Sequence, residues 1–184
     1  MSVGRRYMQL LCADFGCQDQ WFEADGYFAA GNPPWLSTEH TQPAPEQAQP
    51  GPEMGPVALA AKARAEQAFM GINRTVPTAI WLYQGWILPG AAPFTEGLVS
   101  AVPPGRLVIS DMRCEDPGGC EWTDNYAHGG SFYGAPFIWG TLHDFGGNLG
   151  MWGSFSTLAT VPLEAFCSNV STAVGVGMLP EGIG

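Results

Sequence analysis

Positive charge is scarce in this sequence. Seven Lys and Arg stand against 17 Asp and Glu in 184 residues, a formal net charge of −10. A chain of that sign repels phosphate backbones, which sets nucleic acid aside as a partner. Anionic membrane surfaces are disfavoured for the same reason. Long apolar runs are missing too. No stretch reaches membrane-spanning length, and MSVGRRYMQLLCADFG at the amino end carries two arginines without the apolar core of a signal peptide. No Cys-x-x-Cys pair occurs, and no Cys or His spacing reads as a zinc site. The five cysteines are Cys12, Cys17, Cys114, Cys120 and Cys167. Cys114 and Cys120 enclose a turn-rich segment, and either close a small disulfide loop or stand as two thiols.

What is abundant points to an α/β protein rich in turns. The length fits one domain, and 46% apolar residues suffice for a core. Gly (25) and Pro (16) are high, so short elements alternate with loops. Seven Trp exceed what a minimal core needs. Packing accounts for most Trp, and stacking on sugar rings is the sharper alternative. Two sequons, at Asn73-Arg74-Thr75 and Asn169-Val170-Ser171, are compatible with a secretory route.

Helical spacing of Tyr7, Leu10, Leu11 and Phe15 predicts a helix over 4–16, stopped by Gly16. A short strand is expected at 20–24. Residues 36–56, rich in Pro, Gln, Glu and Gly, read as a disordered surface insertion. An Ala-rich helix over 57–72 draws apolar bulk from Leu59, Ala63, Phe69 and Met70. Strands follow at 78–84, 106–112, 136–142 and 172–178, with helices at 95–101 and 154–167 and a polar loop over 113–130. Strands buried on both faces and alternating with helices predict a parallel sheet. Polar residues gather just after the strands, where a β/α barrel and a doubly wound sheet both place their sites. About five strands are present, and a closed barrel of eight needs typically ~250 residues. The expected fold class is α/β over 1–184, and a barrel of this strand count would be incomplete.

Three motifs carry chemistry. In Trp81-Leu82-Tyr83-Gln84-Gly85-Trp86, Trp81 fits the sheet core and Trp86, past the glycine, suits a sugar platform. A strand from Pro136 delivers Leu142-His143-Asp144-Phe145-Gly146-Gly147-Asn148, an imidazole, a carboxylate and an amide beside glycines that permit close approach of a ligand. Gly175-Val176-Gly177-Met178-Leu179-Pro180-Glu181-Gly182 ends a strand on a Pro-stiffened turn presenting one carboxylate. Taken singly, each is as well explained by a packed Trp, a structural His or an exposed Glu.

Together, in this order and spacing, they resemble the catalytic barrel of the α-N-acetylglucosaminidases, glycoside hydrolase family 89. The resemblance runs from about residue 7 to the end, apart from 36–55 and 113–124. It implies that 1–184 is an incomplete (β/α)8 TIM barrel, containing its later strands and helices, from an enzyme that releases terminal α-linked N-acetylglucosamine from glycans, heparan-type chains in animals, with retention of configuration. It also implies a lysosomal, vacuolar or secreted location and no cofactor. In the family's motif the nucleophile falls on Glu181. Asp25, Trp86, His143 and Asn148 fall on substrate-binding positions, and Asp144 stands where the family has Asn. The family's acid/base segment, Ala-Asp-Thr-Phe-Asn-Glu before Pro-Pro, matches Ala24-Asp25-Gly26-Tyr27-Phe28-Ala29 before Pro33-Pro34. The catalytic Glu therefore falls on Ala29. That leaves two expectations, a glycosidase with impaired proton donation or an inactive sugar-binding relative. The resemblance also implies that Met1 falls within the family's barrel and Gly184 just after its nucleophile, so the isolated chain is expected to fold poorly.

Overall fold

The computed structural model describes residues 3–18, 21–23, 54–85, 92–112, 114–115, 131–142 and 153–179. In chain order the elements are α1 (Val3–Phe15), β1 (Trp21–Glu23), α2 (Pro56–Asn73), β2 (Ile80–Gly85), α3 (Ala92–Ser100), β3 (Leu107–Asp111), a 3-10 turn (Phe132–Gly134), β4 (Phe137–Thr141), α4 (Phe155–Cys167) and β5 (Ala173–Met178). The expected strands and helices are all present, with ends moved by a few residues. Pro56 differs from expectation: it opens α2 at the first turn, where its missing N–H costs no hydrogen bond. The rest of the 36–56 insertion, up to Pro52-Glu53, lies outside the described residues.

The five strands form one parallel sheet in the order β1-β2-β3-β4-β5. This order separates the two architectures that local pattern left open. A doubly wound sheet reverses its strand order at a switch point. Here each strand is added beside its predecessor, as in a β/α barrel, and the five strands are part of one.

Register assigns the faces. Trp81 pairs with Leu107, Tyr83 with Ile109, Ile109 with Phe137, and Asp111 with Trp139. These side chains form one layer and pack in a core with Met8, Ala65, Phe69, Ile72 and Leu98 from the helices. Phe137 and Trp139 are almost wholly buried, and each such side chain contributes about 1.5–3 kcal/mol by leaving water. The other face holds Trp21, Glu23, Leu82, Gln84, Val108, Ser110, Ile138 and Gly140, the side that turns into a barrel. Only β3 is buried throughout; β2 and β5 alternate, and β1 is half exposed. The expectation of strands buried on both faces therefore holds for β3 and, but for the half-buried Ile138, for β4.

Helix packing corrects the apolar faces read from sequence. On α1 the buried residue is Met8, with Leu11 and Cys12 packed beside it, while Tyr7, Leu10 and Phe15 are exposed. On α2 the buried side chains are Ala58, Ala61, Ala65, Phe69 and Ile72; Leu59, Ala63 and Met70 face solvent. Small residues line this face because α3 lies close against it. Cys12 and Cys17 form a disulfide at the end of α1. The alternative pairing of Cys114 with Cys120 cannot be placed, since Cys120 lies outside the described residues.

Arg106 fastens the amino-terminal end of the sheet. Its guanidinium donates to the Ala79 carbonyl and, at 3.1 Å, to Asn73 Oδ1. It also stacks over the Phe69 ring at 5.6 Å.

Candidate active site

Parallel strands share one carboxyl-terminal edge, here formed by Glu23, Gly85, Asp111, Thr141 and Met178. In β/α barrels that edge carries the chemistry and the opposite edge carries stability. All five residues singled out from sequence, Asp25, Trp86, His143, Asn148 and Glu181, lie outside the described residues, as do Ala29 and Asp144. The strands that lead the chain into them are described. β1 runs toward Asp25, β2 toward Trp86, β4 toward His143 and Asn148, and β5 toward Glu181, and all end on this one edge.

Buried polar groups collect at the same edge. Ser110, Asp111, Glu115 and Thr141 are among the few polar residues shielded from water. Burial of polar and charged groups is costly unless each is hydrogen-bonded. The Thr141 hydroxyl is buried without a partner among the described residues, while Glu115 and the peptide groups around it form a small network. Glu115 Oε2 accepts from the Leu142 backbone N–H at 3.0 Å. The Glu115 carbonyl accepts from Ser154 N–H at 2.9 Å, and Cys114 N–H donates to the Gly140 carbonyl at 3.0 Å. The Thr141 carbonyl accepts from Leu179 N–H at 2.9 Å. On the barrel-facing side, the Gln84 side-chain amide donates to the Glu23 carboxylate, which joins β1 and β2 near their ends.

Glu115 was not singled out from sequence, where it reads as one more acid in the polar loop after β3. Its burial depends on contacts with β4 and α4 that no local pattern announces. Among the described residues no group of three or more His, Cys, Asp or Glu is placed to hold a metal. No described helix is long and apolar enough to cross a membrane.

At the opposite edge a shallow groove runs between Val102, Pro103, Leu107, Tyr133 and Pro136. It lies at the amino-terminal ends of β3 and β4, away from the motif-bearing loops.

Sequential parallel strands with buried acids and hydrogen-bonded peptide groups at the carboxyl edge define a segment of a β/α barrel. A family model described as alpha-N-acetylglucosaminidase (NAGLU) tim-barrel domain matches residues 1–184. The chain belongs to that family. It is 39% identical over 110 residues to human alpha-N-acetylglucosaminidase, an alignment covering 57% of this chain and 14% of the human protein. Its fold is similar to that of a family 89 glycoside hydrolase from Clostridium perfringens solved with 2-acetamido-1,2-dideoxynojirimycin (TM-score 0.65, 21% identity, 96% of this chain and 16% of that one). A form of the Clostridium protein with two glutamates changed to glutamine, bound to its substrate GlcNAc-alpha-1,4-galactose, matches with TM-score 0.65 at 20% identity, again over 96% of this chain and 16% of that one. The chain thus matches only 14–16% of the length of these relatives.

Proposed function

We propose that the protein carrying this chain is a retaining exo-glycosidase that acts on terminal α-linked N-acetylglucosamine, with Glu181 as nucleophile. The observation that carries this reading is the family match across all 184 residues, with the nucleophile motif intact at its end. Retention needs two carboxyl groups ~5–5.5 Å apart. The Glu181 carboxylate attacks the anomeric carbon and forms a glycosyl-enzyme. The family's second carboxyl group, which protonates the departing oxygen and then activates water, falls on Ala29, so here the leaving group departs as its anion and water attacks without that base. Asp25, Trp86, His143 and Asn148 bind the sugar, Trp86 by stacking on its apolar face. No cofactor enters this chemistry. A glycan of the heparan type, as in glycosaminoglycan breakdown, and a lysosomal, vacuolar or secreted setting follow from the resemblance to the family.

Ala29 shapes the activity. Lacking the acid there, the protein is expected to prefer substrates whose leaving group departs unprotonated, such as aryl glycosides. The test is turnover of an aryl α-N-acetylglucosaminide by the native protein, followed by NMR. Release of the α-anomer first supports the reading, and the β-anomer first refutes retention.

Ala29 also favours a second reading, a protein that binds terminal N-acetylglucosamine without cleaving it. Saturable sugar binding without turnover, lost in Trp86→Ala, distinguishes it.

A further inference from the structure

The peptide group between Thr141 and Leu142 is held from both sides. Its carbonyl accepts from Leu179 N–H at 2.9 Å, and its N–H donates to Glu115 Oε2 at 3.0 Å. Leu179 immediately precedes Pro180-Glu181, and Leu142 immediately precedes His143. One peptide group therefore joins the two segments that lead into the nucleophile and into the imidazole.

Glu115 is itself fixed in place. Its side chain is 2% exposed. Its carbonyl accepts the N–H of Ser154, the residue that caps α4. Gly153, at φ +115°, lies against it so closely that a methyl group there would stand 2.8 Å from the Glu115 Cβ. A hydrogen bond to a charged acceptor is roughly twice as strong as a neutral one. It also polarises the peptide and strengthens the bond that the same peptide's carbonyl accepts.

We propose that Glu115 is a positioning residue for the reaction at Glu181: through the 141–142 peptide it holds the ends of β4 and β5 in mutual register. The proposal rests on the glycosidase reading above. The contact observed for its carboxylate is with a backbone amide, so the role assigned to Glu115 is to act through other residues.

The test compares the native protein with Glu115→Gln and Glu115→Ala. The readouts are kcat and KM on an aryl α-N-acetylglucosaminide, the melting temperature, and amide hydrogen exchange at Leu142 and Leu179. Glu115→Gln keeps the shape and an acceptor oxygen but loses the charge. It is expected to lower kcat within about tenfold at nearly constant KM and melting temperature. Glu115→Ala is expected to lower kcat by about 10²-fold, the scale set by small misplacements of reacting groups. It should also speed exchange at Leu179, which Glu115 reaches only through the peptide. If Glu115→Ala fails to fold, Glu115→Gln decides. An active wild type whose kcat per folded molecule is unchanged in the variants overturns the role of Glu115 alone. So does unchanged exchange at Leu179. A wild type without turnover overturns the glycosidase reading and the positioning role together.

Discussion

Gly97 of α3 lies against Ala58 of α2 so closely that a methyl group at 97 would stand 2.2 Å from the Ala58 carbonyl oxygen and 2.8 Å from the Ala61 Cβ. This contact explains why α2 buries alanines while Leu59 and Met70 face solvent. Two effects oppose one another in Gly97→Ala. Helix propensity favours Ala by about 1 kcal/mol. Overpacking against a backbone carbonyl costs about 1–3 kcal/mol, and backbone does not yield as a flexible side chain does. The clash is expected to win, with net destabilisation and a lower urea midpoint. A raised midpoint would mean that the two helices separate easily.

Tyr133 provides a pH signature at the opposite edge of the sheet. Burial, and then the nearby Glu96 carboxylate, hold its phenol above the ordinary value of 10.0. The unfolded chain therefore loses this proton at lower pH than the folded one. Linkage then makes the contribution complete below pH ~10 and progressively lost above it. Stability should decline with pH in that range, and Tyr133→Phe should flatten the decline. Identical slopes for the two proteins would remove Tyr133 from the account.

The two sequons differ in setting. The Asn73 side chain is half-buried and accepts from Arg106 at 3.1 Å. Asn169 is exposed in the turn between α4 and β5. If the protein follows the proposed secretory route, peptide mapping after deglycosylation should find Asn169 modified and Asn73 bare. Modification of Asn73 would contradict the hydrogen bond to Arg106.

Ala29 offers a gain-of-function test. Proton donation by a placed carboxylic acid is worth about 10²–10⁴-fold. Ala29→Glu should therefore raise kcat/KM, which reports the leaving-group step, on a disaccharide with an unactivated leaving group by a factor in that range, and much less on an aryl glycoside. Equal effects on both substrates would show that position 29 does not serve the leaving oxygen.

Much of the fold was legible because its strands are compact apolar runs bounded by turns. Leu107–Asp111 and Phe137–Thr141 needed no more than local pattern. The helix faces were not legible in the same way. Burial on α2 is carried by Ala58, Ala61 and Ala65, and a reading weighted by side-chain bulk points to Leu59 and Met70 instead. The choice between barrel and doubly wound sheet depended on strand order, which arises from pairing between distant segments. Glu115 was hidden for a related reason, since its partners lie in β4 and at the start of α4. The residues proposed to touch sugar were read only through the joint order of three motifs and the segment that holds Asp25, and they lie outside the described residues, just past the strand ends.

The most direct test of the central claim is Glu181→Gln in the native protein, assayed on an aryl α-N-acetylglucosaminide. Glutamine preserves the size of the side chain and removes the nucleophilic carboxylate. The account predicts turnover by the wild type and its abolition in the variant, with N-acetylglucosamine still bound. Undiminished turnover in Glu181→Gln would contradict it.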